Sequence, residues 1–294
     1  MSKSVISQPS YGQAVFLVIL GGALLSILGL VDRAKDAATG PQIVFYRAIG
    51  QAIFFSVIFF ASRKLTIKNE FQNLTWRGWM AALFMAVSGT FLVMSFQYTK
   101  VANSVFIISL TPLIAALLAW VFIREAITRR TMVAMAIALF GVTVIFGSSL
   151  NGEGLFGMFL ALIMATFYAA VIVTMRTIPK ANVILLSALT GILLIPMMVP
   201  FIGSFEVTTK DLFLCLGLGI VQVGFGTWCV MTGAKHVPAA QVSILALIEV
   251  VLSPIWVWLY VNETPAMTTL IGGAIVLAGV VYQALAGNNS VVKT

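Results

Sequence analysis

Residues Ala239–Tyr260 read AAQVSILALIEVVLSPIWVWLY, and this stretch decides the fold. It is an apolar run of the length an α-helix needs to cross a bilayer, about 20 residues. One ionisable group, Glu249, stands at its middle, about 15 Å from either end at 1.5 Å of rise per residue. A carboxylate at that depth is costly and normally faces a protein interior or a watery cavity. Glu249 is therefore a functional candidate, with structural pairing to a nearby donor as the plainer alternative.

The rest of the chain has the same character. Of 294 residues, 61% are hydrophobic and 9% charged, and the mean hydropathy is +1.07. A soluble domain of this size always leaves surface that needs polar cover, so the composition indicates a polytopic membrane protein. The formal charge of +8 is spread over short loops without an aromatic-basic patch, which excludes nucleic acid as the partner the charge would suggest. Cys215 and Cys229 fall in apolar stretches, without metal or disulfide spacing, and read as small core residues.

Ten apolar segments follow one another: Ala14–Leu30, Pro41–Ala61, Gly78–Tyr98, Ser104–Ile123, Met132–Ser149, Leu155–Met175, Val183–Ile202, Leu212–Thr232, Ala239–Tyr260 and Met267–Ala286. The opening MSKSVISQPSYGQ lacks the layout of a cleavable signal, and the run after it is long enough to span. Basic residues orient the chain. With the N-terminus inside, twelve fall on the cytoplasmic side (Lys3, Arg63, Lys64, Lys68, Arg77, Arg124, Arg129, Arg130, Arg176, Lys180, Lys235, Lys293). Four fall outside (Arg33, Lys35, Lys100, Lys210). Both termini are thus expected in the cytoplasm. That leaves the acceptor patterns at Asn73 and Asn288–Ser290 on the unglycosylated side.

An internal repeat appears at an offset of 138 residues. It superposes Trp120 on Trp258, Glu125 on Glu263, Thr131 on Thr269 and Gly141 on Gly279. Each copy holds five spans, an odd number, so the second copy must enter the membrane upside down. Inverted repeats are a transporter architecture, with the substrate site near the midplane between the halves. The expected fold is an all-α polytopic membrane protein, ten transmembrane helices in two inverted five-helix repeats. The copies occupy 14–149 and 155–286, with tails at 1–13 and 287–294.

Several further groups fall within the spans. Arg47, in PQIVFYRAIG, is the one basic residue within a span. Its rigid fork suits a carboxylate or phosphate, although an arginine near a helix end can instead snorkel or bind loop carbonyls. Arg47 and Glu249 together could grip a zwitterion; touching each other, they would be structural or a gate. Glu249 could also bind and release a coupling proton. Gln222 lies centrally in the eighth span, suited either to substrate or to an interhelical hydrogen bond. Trp228 and Tyr168 are candidate aromatic walls or packing residues. Thr111-Pro112 should bend the fourth helix and free a carbonyl, making Thr111 a polar contact. The stripes Ala82, Ala86, Thr90 and Ala161, Ala165, Ala169 read as helix seams.

Both halves resemble the EamA-type repeat of the drug/metabolite transporter superfamily. The first carries Tyr98–Ser104 (YTKVANS), Ser109–Pro112 (SLTP), Arg124-Glu125 and Gly141-Val142. The second carries Val237–Gln241 (VPAAQ), Leu247–Glu249 (LIE), Asn262-Glu263 and Ala278–Val280 (AGV). Family members often have Glu-Pro in the ninth span; here Val250 follows Glu249 and the nearest proline is Pro254, so a break there would be displaced. The resemblance implies a secondary active transporter of the bacterial-type inner membrane. It would move a small polar metabolite, an amino acid or derivative, outward by alternating access. An uptake carrier or exchanger for another charged metabolite, a channel, or a non-transporting membrane protein are the competing readings. An intramembrane enzyme would need a nucleophile–base pair or clustered acids, and neither the sequence nor any motif offers them. No cofactor or metal is expected; the partners are substrate and lipid, and a homodimer is one possible assembly.

Overall fold

The computed structural model describes residues 10–61, 74–147, 154–178 and 182–287. Lys3, Arg63, Lys64, Lys68, Lys180, Lys293, Asn73 and Asn288–Ser290 lie outside the described residues. Among the described residues there is no strand, and ten helices are long and apolar enough to span. They are α1 (Tyr11–Ala34), α2 (Gly40–Ala61), α3 (Trp76–Tyr98), α4 (Val101–Ile123) and α5 (Arg129–Gly147). The second five are α6 (Leu155–Arg176), α7 (Val183–Phe201), α8 (Thr209–Ala234), α9 (Ala239–Val261) and α10 (Met267–Gly287). Polar residues mark the starts. Ser10 and Gln13 cap α1 reciprocally, Asn182 accepts from Ile184 N and Leu185 N, and Thr208 caps α8.

The helices break where the sequence pointed in one case and elsewhere depart from expectation. The first runs beyond Ala14–Leu30 at both ends and contains a break, its first segment ending at Leu25 and its second beginning at Leu28. α4 breaks at Ser109–Leu110, just before Thr111-Pro112. Pro112 has no N–H for the Ile108 carbonyl, and Thr111 Oγ1 donates to that oxygen at 2.6 Å. α9 runs unbroken through Pro254, so the displaced break expected there is absent. In α8 the segment Leu218–Phe225 winds as a π-helix.

Packing follows the small-residue seams. Ala82, Ala86, Ala161, Ala165 and Ala169 are all fully covered; α3 lies along α6, with Ala82 packed against Leu185, Leu186 and Leu189 of α7 and Ala169 against Ala115 and Ala119 of α4. α1 packs on α8, α2 on α7 and α5 on α10. Renaming helix n as n ± 5 turns the α3–α6 contact into α8–α1 and returns α2–α7 and α5–α10 to themselves. α5 and α10 cross almost backbone to backbone: a Cβ on Gly141 would meet the Gly272 carbonyl at 2.7 Å, and one on Gly272 the Gly141 carbonyl at 2.6 Å. The cap residues repeat the relation. Among the described residues, only Arg124 (φ 54°) and Asn262 (φ 56°) are non-glycines in the left-handed region. They end α4 and α9, and 262 − 124 = 138, the sequence offset. These relations are compatible with two inverted five-helix repeats.

The glutamate after each cap reaches an arginine. Glu125 pairs with Arg176 at the end of α6 (2.6 Å), and Glu263 with Arg33 at the end of α1 (2.7 Å). The first pair lies on the face where α1 begins (the N face), the second on the opposite face. Their surroundings differ. Arg33 also donates to the Phe96 and Thr99 carbonyls at 2.7 and 2.8 Å, and Glu263 accepts from Val101 N at 2.9 Å. The buried carboxylate of Asp32 adds contacts to Arg33, Lys35 and Gln97. Asp211, fully buried, holds the α1–α2 turn through the amides of Asp36, Ala37 and Ala38 at 2.8, 3.0 and 2.9 Å. Side-chain exposure is 22% and 18% for Arg33 and Glu263, against 48% and 55% for Arg176 and Glu125. The Arg33–Glu263 pair is thus enclosed by its neighbours, while the N-face pair stands in the open.

Candidate functional site

The π-helical turn of α8 builds the centre of the molecule. It sets Gly219 directly on α2, where an added Cβ would lie 2.7 Å from Gln51 N and from Gly50 Cα. Single-turn π-helical insertions are frequent at functional sites because they re-aim a side chain within a helix. Here the side chain is Gln222, buried to 3% exposure. Its Oε1 accepts from Arg47 Nε at 3.3 Å, and its Nε2 donates to the Leu25 carbonyl at 3.0 Å. Leu25 is where the first segment of α1 stops, so the break supplies a carbonyl to hold Gln222.

Arg47 is 7% exposed, buried among helices rather than snorkelled to an interface. Among the described residues its one hydrogen bond is the Nε contact, which leaves the Nη1 and Nη2 edge of the fork without a protein partner. Glu249 is half-buried on α9. Among the described residues its carboxylate forms no hydrogen bond and no ion pair, with Arg47 or any other group. The two charges nevertheless lie within electrostatic reach of each other. Tyr168 of α6, 39% exposed, is also within electrostatic reach of Glu249.

The remaining expected residues are placed differently. Thr111 is buried and its hydroxyl proton is used on Ile108 O. Trp228 is half-buried and stacks on Phe225, with ring centroids 5.7 Å apart. Neither is bonded to the Arg47–Gln222 cluster. Sequence reasoning missed Ser26 and Trp256. Ser26, at the α1 break, donates to Ala23 O at 2.6 Å and accepts from Trp256 Nε1 at 2.9 Å. Trp256 is two helical turns beyond Glu249 on the same side of α9. A lone serine in LLSIL was the available signal; the carbonyls that complete the cluster leave no trace in a sequence. Gln51, one turn after Arg47, was also passed over and ties α2 to α7 through Ser187 O at 2.9 Å.

Among the described residues no group of His, Cys, Asp and Glu is arranged to hold a metal. What the site offers is a buried cation with a free edge and a half-buried carboxylate within electrostatic reach of it. Such an arrangement suits a small ligand carrying the opposite charges at its two ends.

Comparison with known proteins gives this geometry its family. The model of the EamA-like transporter family matches residues 12–147 and again 155–284. An uncharacterized transporter of Archaeoglobus fulgidus is 26% identical, over 68% of this chain and 73% of that protein. The pseudopaline exporter CntI of Pseudomonas aeruginosa is 23% identical, over 90% of this chain and 93% of its own. A solved crystal structure superposes with a TM-score of 0.65 at 17% identity, covering 95% of this chain and 100% of that one, which shows a shared fold. With both halves matched across nearly the whole chain, the protein belongs to the EamA-like transporter family, a multi-pass membrane transporter.

Proposed function

We propose that this chain is a secondary active transporter that moves a small zwitterion, an amino acid or derivative, across a bacterial-type inner membrane by alternating access. One observation carries the reading: Arg47 and Glu249 are opposite charges in one interior that do not neutralise each other. A zwitterion would place its carboxylate on the free edge of Arg47 and its ammonium beside Glu249, with Tyr168 as a wall. The N face is assigned to the cytoplasm by the excess of Lys and Arg on it. Outward transport is our preference, supported by the exporter among the relatives. The two family matches support division into halves at 147–155, read as inverted copies around the site.

The test is counterflow in proteoliposomes. Vesicles preloaded with an unlabelled amino acid should accelerate entry of its labelled form, with saturation. Arg47→Ala should abolish this for every zwitterion tried. A linear, non-saturating flux would make the protein a channel instead. If Glu249 also carries the coupling proton, the exchange rate depends on pH in the wild type. Glu249→Gln, which fixes the neutral form, then flattens the profile; an undiminished pH dependence in that variant removes the proton role.

A further inference from the structure

We propose that Gln222 is a positioning residue whose task is to keep Arg47 from closing on Glu249. Opposite charges in a poorly solvated interior attract strongly, and arginine has a long, adaptable side chain. Left to themselves, the two would pair. Among the described residues they do not, and the contacts of Arg47 show what intervenes. Among the described residues its single hydrogen bond is from Nε to Gln222 Oε1. The far end of that amide is fastened to the Leu25 carbonyl, so it cannot turn to follow the guanidinium. The backbone carrying Gln222 belongs to the π-helical turn, which rests through Gly219 on α2 between Arg47 and Gln51. Clamp and clamped side chain are thus anchored at the same place.

The geometry also selects which edge of the fork is offered. Gln222 occupies the Nε side, leaving the Nη1–Nη2 end for a bidentate carboxylate. This differs from a direct substrate contact by Gln222: both polar atoms of its amide are already engaged with protein. The role rests on reading Arg47 and Glu249 as the two grips on the substrate, but its test needs no substrate.

The experiment is a pair of double-mutant cycles on the purified full-length protein in detergent, read as shifts in Tm. Arg47→Gln and Glu249→Gln are made singly and together, first in the wild-type chain and then with Gln222→Met. In the wild type the two losses in Tm should come close to adding. In the Gln222→Met chain, where Arg47 is free to pair with Glu249, the double variant should lose scarcely more than either single one. Equal non-additivity in both backgrounds would show that Gln222 does not hold the charges apart and would overturn the proposal. Should Gln222→Met fail to fold, Gln222→Glu keeps the size and gives Arg47 a permanent partner. The Tm loss on Arg47→Gln should then grow relative to wild type, and an unchanged loss refutes the contact. Counterflow that fails while the cycles behave as stated would reject the zwitterion reading and leave the positioning role standing.

Discussion

At the scale of single residues, two glycines two positions apart in α8 separate helix propensity from close approach. Nothing lies within 4 Å of a Cβ built on Gly217, whereas one on Gly219 would run into the backbone of α2. Gly217→Ala should therefore be neutral or stabilising by up to about 1 kcal/mol, the helix-propensity difference. Gly219→Ala forces two backbones apart and should cost about 1–3 kcal/mol, with loss of the Arg47–Gln222 contact. Thermal unfolding of the two variants checks both directions. Arg124 offers the reverse case. It holds a left-handed conformation that costs a side-chain-bearing residue about 1 kcal/mol or more, so Arg124→Gly should raise Tm. Asn262, a residue type that tolerates this region better, should gain less from the same change. The residues of the site were only partly legible. An isolated charge in an apolar run announces itself, which is why Arg47 and Glu249 stood out. The edge that each leaves free depends on partners 175 positions away (Arg47 and Gln222) or on a backbone carbonyl, and no local pattern encodes those.

At the scale of elements, the discontinuities carry most of the information. α1 is broken at Ser26–Ile27, and the break is clamped from two sides, by Gln222 of α8 on Leu25 O and by Trp256 of α9 on Ser26 Oγ. Ser26→Ala, which also loses the bond to Ala23 O, should cost about 1–2 kcal/mol and Trp256→Phe about 1 kcal/mol, and the double variant should cost less than their sum, since the hydrogen bond between the two residues is lost in all three. Additive losses measured by unfolding would show that the two residues act separately. Proline was an uneven guide to these breaks. Pro112 sits beside one, but α9 absorbs Pro254 without interruption, and the break in α1 contains no proline at all. The π-helical turn in α8 was equally hidden, because widening a turn requires no residue type of its own. Its two glycines, Gly219 and Gly224, were visible, but that both lie against α2 depends on how the helices cross.

At the scale of the whole molecule, ten spans and a five-helix repeat were legible because hydropathy and an exact offset survive in the sequence; the asymmetry between the two ends was not. Glu263 and Glu125 occupy equivalent places in the repeat. Even so, Glu263 should matter more to the state described here. Glu263→Gln weakens a part-buried contact to Arg33 and should cost about 1.5–3 kcal/mol. Glu125→Gln breaks an exposed pair and should cost under about 1 kcal/mol. Unfolding measurements on the two variants would check the ranking, and equal losses would contradict it. The difference in exposure has a consequence for how the protein meets its medium. Mobile ions screen exposed charges over about 8 Å at physiological ionic strength and about 3 Å in molar salt, but act much less on charges enclosed by protein. Salt therefore acts unevenly on equivalent places of the two halves. It can reach the Glu125–Arg176 clasp, as it can the exposed Lys210–Asp36 pair of the other face, and leaves the Arg33–Glu263 clasp largely untouched.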